Sequence, residues 1–235
     1  MGLQRNPDLT TLRAEIARSL GLPELPGEPA FEQECRTYLT DLRWPGGVEC
    51  PRCNEGARLL WLASRSKWHC YACRYQFSVT AGTLFHRSHL PVWKWFVAVH
   101  LMLSSPNGLS ANELRRVIGG SYKTAWFAAH RIRAAMSGQG AELLRDLVDA
   151  ELRRAGAASP PAPAAVDEAS GNVLARVRRL IGAPHLQLSP KYLHAYIDER
   201  RWRTANSGNP HVFRDTIDAL LRGDGLSYDE LVAAG

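Results

Sequence analysis

The sequence predicts an α+β fold that is mostly helical, with one small β unit set among the helices. Three observations carry this. Two Cys-x2-Cys pairs, Cys50/Cys53 and Cys70/Cys73, enclose and adjoin short aromatic and β-branched runs, the pattern of strands gathered around a metal site. On either side, "AFEQECRTYLTDLRW" and "PVWKWFVAVHLMLSS" carry apolar residues three and four positions apart, the period of a helix face. Clusters of Pro and Gly punctuate these runs and set their ends.

Taken in order, Thr10 and Thr11 stand before "LRAEIARSL", and Gly21 with the Pro-rich "LPELPGEP" ends it. This is a short opening helix, read as an appendage in an N-terminal extension over 1–30. In the next segment Phe31, Cys35, Tyr38, Leu39 and Leu42 share one helical face, and "PGG" stops the helix. Cys35 is therefore a core residue and stays outside the metal site. From Leu59 to Val79 the pieces "LLWLAS", "KWHC" and "RYQFSVT" read as strands, which places a small β domain with its preceding helix at 31–90. Pro91 opens a strong helix at its first turn, "NGLS" breaks it, and "ANELRRVIG" is a second helix. After "GG", Ser121 is the N-cap of a third, with Ala125, Ala128, Ala129 and Ile132 as a slim inward face. These three helices fill 91–137.

Beyond Met136, "AELLRDLVDAELRRAG" reads as an exposed helix and "AASPPAPAAVDEASGN" has linker composition, rich in Ala and Pro and poor in large apolar residues. The two occupy 138–172. Structure resumes over 173–235 with "VLARVRRLIG", then Ser189 capping "PKYLHAYIDERRW", then "HVFRDTIDALLR", a separate small helical C-terminal segment. The chain shows no internal repeat.

At 235 residues the chain exceeds a lone metal-stapled module, so several small units are expected. Lys and Arg outnumber Asp and Glu by 29 to 23 and the pI is near 9.3, a balance that suits a polyanionic partner. The N-terminus lacks the apolar core of a signal peptide, and the most apolar window, "VWKWFVAVHLML", is short and contains Lys94 and His100. The expectation is a soluble, cytoplasmic, nucleoid-associated protein with no membrane partner. In a reducing compartment, paired Cys-x2-Cys motifs are metal ligands more often than disulfides.

Each Cys-x2-Cys turn can aim two thiolates at one ion, and the 16 residues between Cys53 and Cys70 can form a hairpin that brings the turns together. The expected product is a closed tetrahedral Zn2+ site of the ribbon type with Cys50, Cys53, Cys70 and Cys73 as ligands. With four thiolates there is no open coordination position, so the zinc folds its segment and does no chemistry. His69, His86 and His89 are spare residues that such a site does not need.

"LSANELRRVIGGSYKTAWFAAHRIR" has the length and punctuation of a helix-turn-helix: a short helix, a Gly turn, and a second helix that starts polar and ends basic. The start of a recognition helix meets base edges, which nominates Ser121, Tyr122, Lys123 and Thr124. Arg131 and Arg133, further along, are placed for phosphates, and His130 joins them as a DNA-binding candidate. Trp93, Trp95 and Trp126 read as core packing. The competing reading is an ordinary helical hairpin with a solvated basic edge, and the pattern alone leaves both open.

The quoted blocks also carry a family resemblance. "ECRTYLTDLRWPGGVECPRC", "WHCYACRYQFSVTAGTLFHRSHLPVWKWFVAVHLM" and "GLSANELRRVIGGSYKTAWFAAHRIR" closely resemble the N-terminal half of bacterial insertion-sequence transposases that set a zinc ribbon ahead of a DDE-type catalytic core. The resemblance runs from about Phe31 to Arg133. "LIGAPHLQLSPKYLHAYIDERRWR" looks like the segment after that family's last catalytic acid. Between these flanks the resemblance implies an RNase-H-like sheet whose three acidic residues hold two Mg ions for strand cleavage and transfer. Only about 55 residues separate Arg133 from Ser189, too few for several strands with their crossover helices. Asp167 and Glu168 echo the first catalytic motif, Ser170, Gly171 and Asn172 stand near the place of the last, and the middle acid has no counterpart. The resemblance therefore implies a zinc-dependent duplex-DNA-binding protein that has lost its DDE core. No catalytic residue and no Mg2+ are expected, and the role is that of a regulatory or accessory factor. The alternatives are a residual or partner-dependent transposase and a protein-docking zinc-ribbon module, with a homodimer or a protein partner as further expectations.

Overall fold

The computed structural model describes residues 8–105, 108–137 and 192–233. Eight helices and a three-stranded antiparallel sheet make up this part of the chain: α1 Leu9–Ser19, α2 Glu28–Arg43, β1 Leu59–Leu62, β2 Lys67–Cys70, β3 Gln76–Phe77, α3 Val92–Ser104, α4 Ala111–Ile118, α5 Tyr122–Met136, α6 Leu193–Ala205, α7 Val212–Arg222 and α8 Tyr228–Ala233. This is the mostly helical α+β fold expected. The helix read in "AELLRDLVDAELRRAG", the Ala/Pro linker with Asp167, Glu168, Ser170, Gly171 and Asn172, "VLARVRRLIG" and the Ser189 cap lie outside the described residues.

The centre is α3. Its Val92, Trp93, Trp95, Phe96, Val97, Ala98, Val99, Leu101 and Met102 are all buried, and a helix that is apolar on every side is stable only when wrapped on every side. Helices α1, α2, α4, α5 and α7 supply that wrapping. Pro29 in the first turn of α2 suits a position that needs no intrahelical N–H bond, and its Phe31, Cys35 and Leu39 are fully buried, as the periodicity predicts.

Two sequence expectations change here. The opening helix is no appendage: Leu12, Ile16 and Ala17 of α1 belong to the central core, and Arg13 lies 5.2 Å from the Phe31 ring and 5.5 Å from the Trp93 ring. The C-terminal helices are likewise not separate. Ile217, Leu220 and Leu221 of α7 join the same core, because the apolar stripe of this amphipathic helix has α2, α3 and α5 to bury against. The end of α7 and the chain after it are also stitched to the loop that follows the sheet, through a Leu84 N–H to Leu220 carbonyl bond of 3.1 Å and a Thr83–Asp224 bridge.

Antiparallel pairing places Leu59 opposite Cys70, Leu60 opposite His69, Trp61 opposite Trp68 and Leu62 opposite Lys67; on the other side of β2, Trp68 faces Phe77 and His69 faces Gln76. Alternation along the strands gives the sheet two unlike faces. One holds Trp61, Trp68 and Phe77 in a row. Trp44, at the end of α2, meets Trp68 and Phe77 edge-on with centroids at 5.6 and 6.0 Å, and Arg43 covers Trp44 at 4.6 Å while donating to the Val79 carbonyl. These contacts fasten the sheet to α2. The other face carries Leu60, His69 and Gln76 and looks outward.

Candidate metal centre and nucleic-acid interface

The two cysteine turns are built alike. In each, the first Cys donates its backbone N–H five residues ahead, Cys50 to Glu55 and Cys70 to Tyr75, both at 2.9 Å. In each, the residue after the second Cys takes a left-handed conformation, Asn54 at φ 57° and Arg74 at φ 58°. Asn tolerates that region locally, whereas Arg enters it against a steric penalty, so its presence marks a turn imposed by its surroundings.

The turns bring four thiols to one point. The Cys50–Cys73 and Cys53–Cys70 sulfur pairs are 3.6 Å apart, and all four sulfurs lie within 4.8 Å of one another. A tetrahedral zinc with Zn–S bonds of about 2.3 Å sets its sulfurs about 3.8 Å apart, so the donor set and its spacing fit one structural Zn2+. The cysteines are free thiols. For Cys70, burial opposes ionisation, yet the Cys73 N–H, the Cys53 thiol and the Ala72 N–H outweigh it and draw the thiol down to about 7. Cys53 accepts help from the Glu55 N–H, but its three thiol neighbours push it up to about 12. One ready thiolate beside reluctant ones is what a crowded dithiol pair gives before a cation neutralises it.

Cys35 is excluded as expected. It sits in the α2 core, where burial and the charges of Glu32 and Glu34 push its thiol up. Neither His69, His86 nor His89 joins the four-sulfur group.

The α4–α5 pair is anchored at its turn. Ser110 and Glu113 form a reciprocal capping box at the start of α4, with bonds of 2.8 and 3.2 Å. Gly119 and Gly120 both have φ near +80°, at 75° and 81°, which permits the sharp turn. From α3, the Lys94 ammonium donates to the Ile118 carbonyl at 2.7 Å and so closes the C-terminal end of α4. Ser121 caps α5 by accepting from the Thr124 N–H at 3.1 Å. Ala125, Ala128, Ala129 and Ile132 are buried as predicted.

The predicted DNA contacts divide. Ser121, Tyr122 and Lys123 are exposed and Thr124 is half-buried, so the start of α5 is a surface, with the Lys123 ammonium 4.1 Å from the Tyr228 ring of α8. His130, Arg131 and Arg133 are buried, which corrects the expected DNA contact of the first and the expected phosphate contacts of the other two. His130 packs among Trp126, Tyr192 and Tyr196, and burial followed by the Arg133 charge pulls it down to about 3. Arg131 donates to the His86 carbonyl at 2.7 Å and the Leu226 carbonyl at 3.0 Å. Arg133 is 1% exposed, bonds Glu199 of α6 at 2.7 Å and the Leu109 carbonyl at 2.8 Å, and stacks over Tyr196. These cations hold the molecule together. Two cations that the sequence reading passed over, Arg115 and Arg116 of α4, are exposed. The signal was available: Leu114, Val117 and Ile118 turn inward, which sends their arginine neighbours out. Trp93 and Trp95 are core residues, and Trp126 is half-buried between Tyr192 and Tyr228.

No helix among the described residues is long and apolar enough to cross a membrane. Residues 31–76, which include all four cysteines of the metal clasp, match the transposase zinc-ribbon domain family. The chain is also similar to an uncharacterized protein in transposable element ISH50 of Halobacterium salinarum, with 29% identity over 107 residues, 45% of this chain and 36% of that protein. It therefore spans about a third of that relative's length. No solved structure matches the chain significantly.

Proposed function

We propose that this chain is a zinc-dependent duplex-DNA-binding protein derived from an insertion-sequence transposase, acting as a regulatory or accessory factor without strand-cutting chemistry of its own. The observation that carries the reading is the union of the two units. Trp44 and Trp68 pack against both the ribbon's own cluster and the central core, and that core includes Leu114, Val117 and Ala125 of the α4–α5 pair. A zinc-set ribbon and a Gly-turned helix pair are thus held in one rigid frame, as two DNA-gripping parts must be if they are to engage one duplex in register. At the helix pair, Tyr122 and Lys123 open α5 at the surface, and Arg115 and Arg116 stand exposed on α4. The loss of the catalytic sheet in this reading is supported by the roughly 55 residues between Arg133 and Ser189, fewer than several strands with their crossovers need.

The test is selection of genomic DNA fragments by zinc-loaded protein, with and without a chelator. Enrichment that disappears on zinc removal and falls steeply with salt supports the reading; a fully zinc-loaded protein that retains no fragment at low salt refutes it. Similarity to a transposable-element protein favours one second reading, a partner-dependent transposase. Mg-dependent cleavage or strand transfer at terminal inverted repeats by the purified chain would replace the first reading with that one.

A further inference from the structure

The ribbon's two faces differ in what covers them. Trp68 and Phe77 pack toward α2 and the core, with Trp61 against Trp68 at the rim and 41% exposed, while the opposite face has no neighbour among the described residues that buries it: Leu60 remains 44% exposed and Tyr71 59% exposed. His69 lies opposite Leu60 in the register and meets the Tyr71 ring edge-on at 4.9 Å, so the three form a small apolar ridge down the middle of the open face.

Charge surrounds this ridge. Residues 50–76 contain Arg52, Arg58, Arg65, Lys67 and Arg74 against the single acid Glu55, five cations less one anion or +4, where the whole chain carries +6. All five cations are exposed. Glu55 is occupied by Arg58 at 3.2 Å and by the Ala57 N–H at 2.8 Å. Arg65 reaches across the open face to the Gln76 amide oxygen at 3.4 Å, and Lys67 stands opposite Leu62 on the same side. A zinc tetrathiolate would return two negative charges to the cysteine end of the hairpin, where Cys50 and Cys70 are buried, Cys73 is half-buried and Cys53 is exposed, and four less two leaves the segment at +2. The hairpin end carries Arg65 and Lys67 and no acid of its own.

An antiparallel hairpin with Leu60 and Tyr71 exposed on its open face and cations at both of its ends suits a major-groove insert, since that groove admits a two-stranded β-ribbon. We infer that the open face of the β1–β2 hairpin is the surface on which duplex DNA lies. Arg65 and Lys67 take phosphates on one wall of the groove, Arg58 and Arg74 take phosphates on the other, and Leu60 and Tyr71 face its floor. The inference rests on the DNA-binding reading above and relocates its principal contacts. The buried Arg131 and Arg133 leave the phosphate work to other cations, and among the described residues five exposed ones lie within residues 50–76.

The experiment measures duplex affinity against salt for full-length, zinc-loaded protein and three exposed-residue variants, with zinc content and melting recorded for each. Each lost phosphate contact lowers the slope of log K against log salt by about 0.9. The Arg65→Gln/Lys67→Gln double variant is expected to lose close to two such contacts and to bind at least tenfold more weakly at low salt. Tyr71→Ala is expected to weaken binding several-fold with the slope unchanged. Arg115→Gln/Arg116→Gln, on α4, is expected to change affinity less than the ribbon pair does. If wild-type protein binds duplex and the ribbon variants bind as it does, this surface is wrong while DNA binding stands. If wild-type protein binds no duplex, the function itself is wrong and the surface falls with it.

Discussion

Removing Glu199 should loosen α6 from α5 and lower the stability of the fold. Glu199 is 1% exposed and sits between two arginines: Arg133 of α5 at 2.7 Å, and Arg203 one turn along α6 at 3.7 Å. Arg133 also bonds the Leu109 carbonyl, and Arg203 bonds the Ser105 carbonyl, so the pair of cations ties α5, α6 and the segment leading into α4 together. Glu199→Ala leaves both guanidiniums facing each other with the anion gone. Breaking a buried ion pair from one side costs about 3–5 kcal/mol, and for a chain of this size each kcal/mol moves the melting point by about 2–4 °C. The expected fall is therefore about 6–20 °C, with the urea midpoint lowered to match. Tryptophan fluorescence in urea follows it directly, because Trp126 and Trp202 lie at these helices. Replacing all three partners by apolar residues of similar size, Arg133→Met, Glu199→Leu and Arg203→Met, should recover most of the loss. A Glu199→Ala loss below about 1 kcal/mol would be the value of an exposed pair and would refute the internal role given to Arg133.

Cys70→Ser should abolish stoichiometric zinc by elemental analysis and unfold the ribbon, while Cys35→Ser, in the α2 core, should leave zinc content unchanged. His130 stays neutral when folded, at about 3, but protonates near its ordinary value when unfolded. The unfolded chain thus binds the extra proton between these values, and stability present above pH 6.5 is lost as pH falls toward 3, by up to about 1.4 kcal/mol per pH unit. His130→Gln should flatten the dependence of the urea midpoint between pH 7 and 5; an identical dependence in both proteins would contradict the burial of a neutral imidazole. Gly223→Ala would place a methyl 2.6 Å from Leu84 Cδ1 and 2.8 Å from its Cγ. It should destabilise by about 1–3 kcal/mol, whereas a silent substitution would mean that α7 does not close on the loop after the sheet.

How legible the molecule is in its sequence depends on whether a feature is local. The four zinc ligands, the strands around them, the inward alanines of α5 and the Ser121 cap all follow from spacing within a few turns of chain. The partners of Arg131 and Arg133 do not. Glu199 lies 66 residues beyond Arg133 and Leu226 lies 95 beyond Arg131, and nothing in "HRIR" separates a cation that meets a phosphate from one that meets a buried carboxylate. The Pro-rich stretch after α1 reads as a boundary because Pro and Gly end helices, yet the same turn lets Arg13 fold back onto the Pro26 carbonyl at 2.9 Å. The two-faced ribbon lies between these cases: the alternation is visible once the register is known, and the register comes from the pairing.

The most direct measurement of the central claim is duplex-DNA affinity as a function of salt for zinc-loaded protein, chelated protein and chelated protein given zinc back. Log K is expected to fall linearly with log salt when zinc is bound, binding to be lost on chelation, and both affinity and slope to recover when zinc returns. Zinc-saturated protein that fails to bind duplex at low salt, or binding that survives chelation unchanged, would contradict the claim.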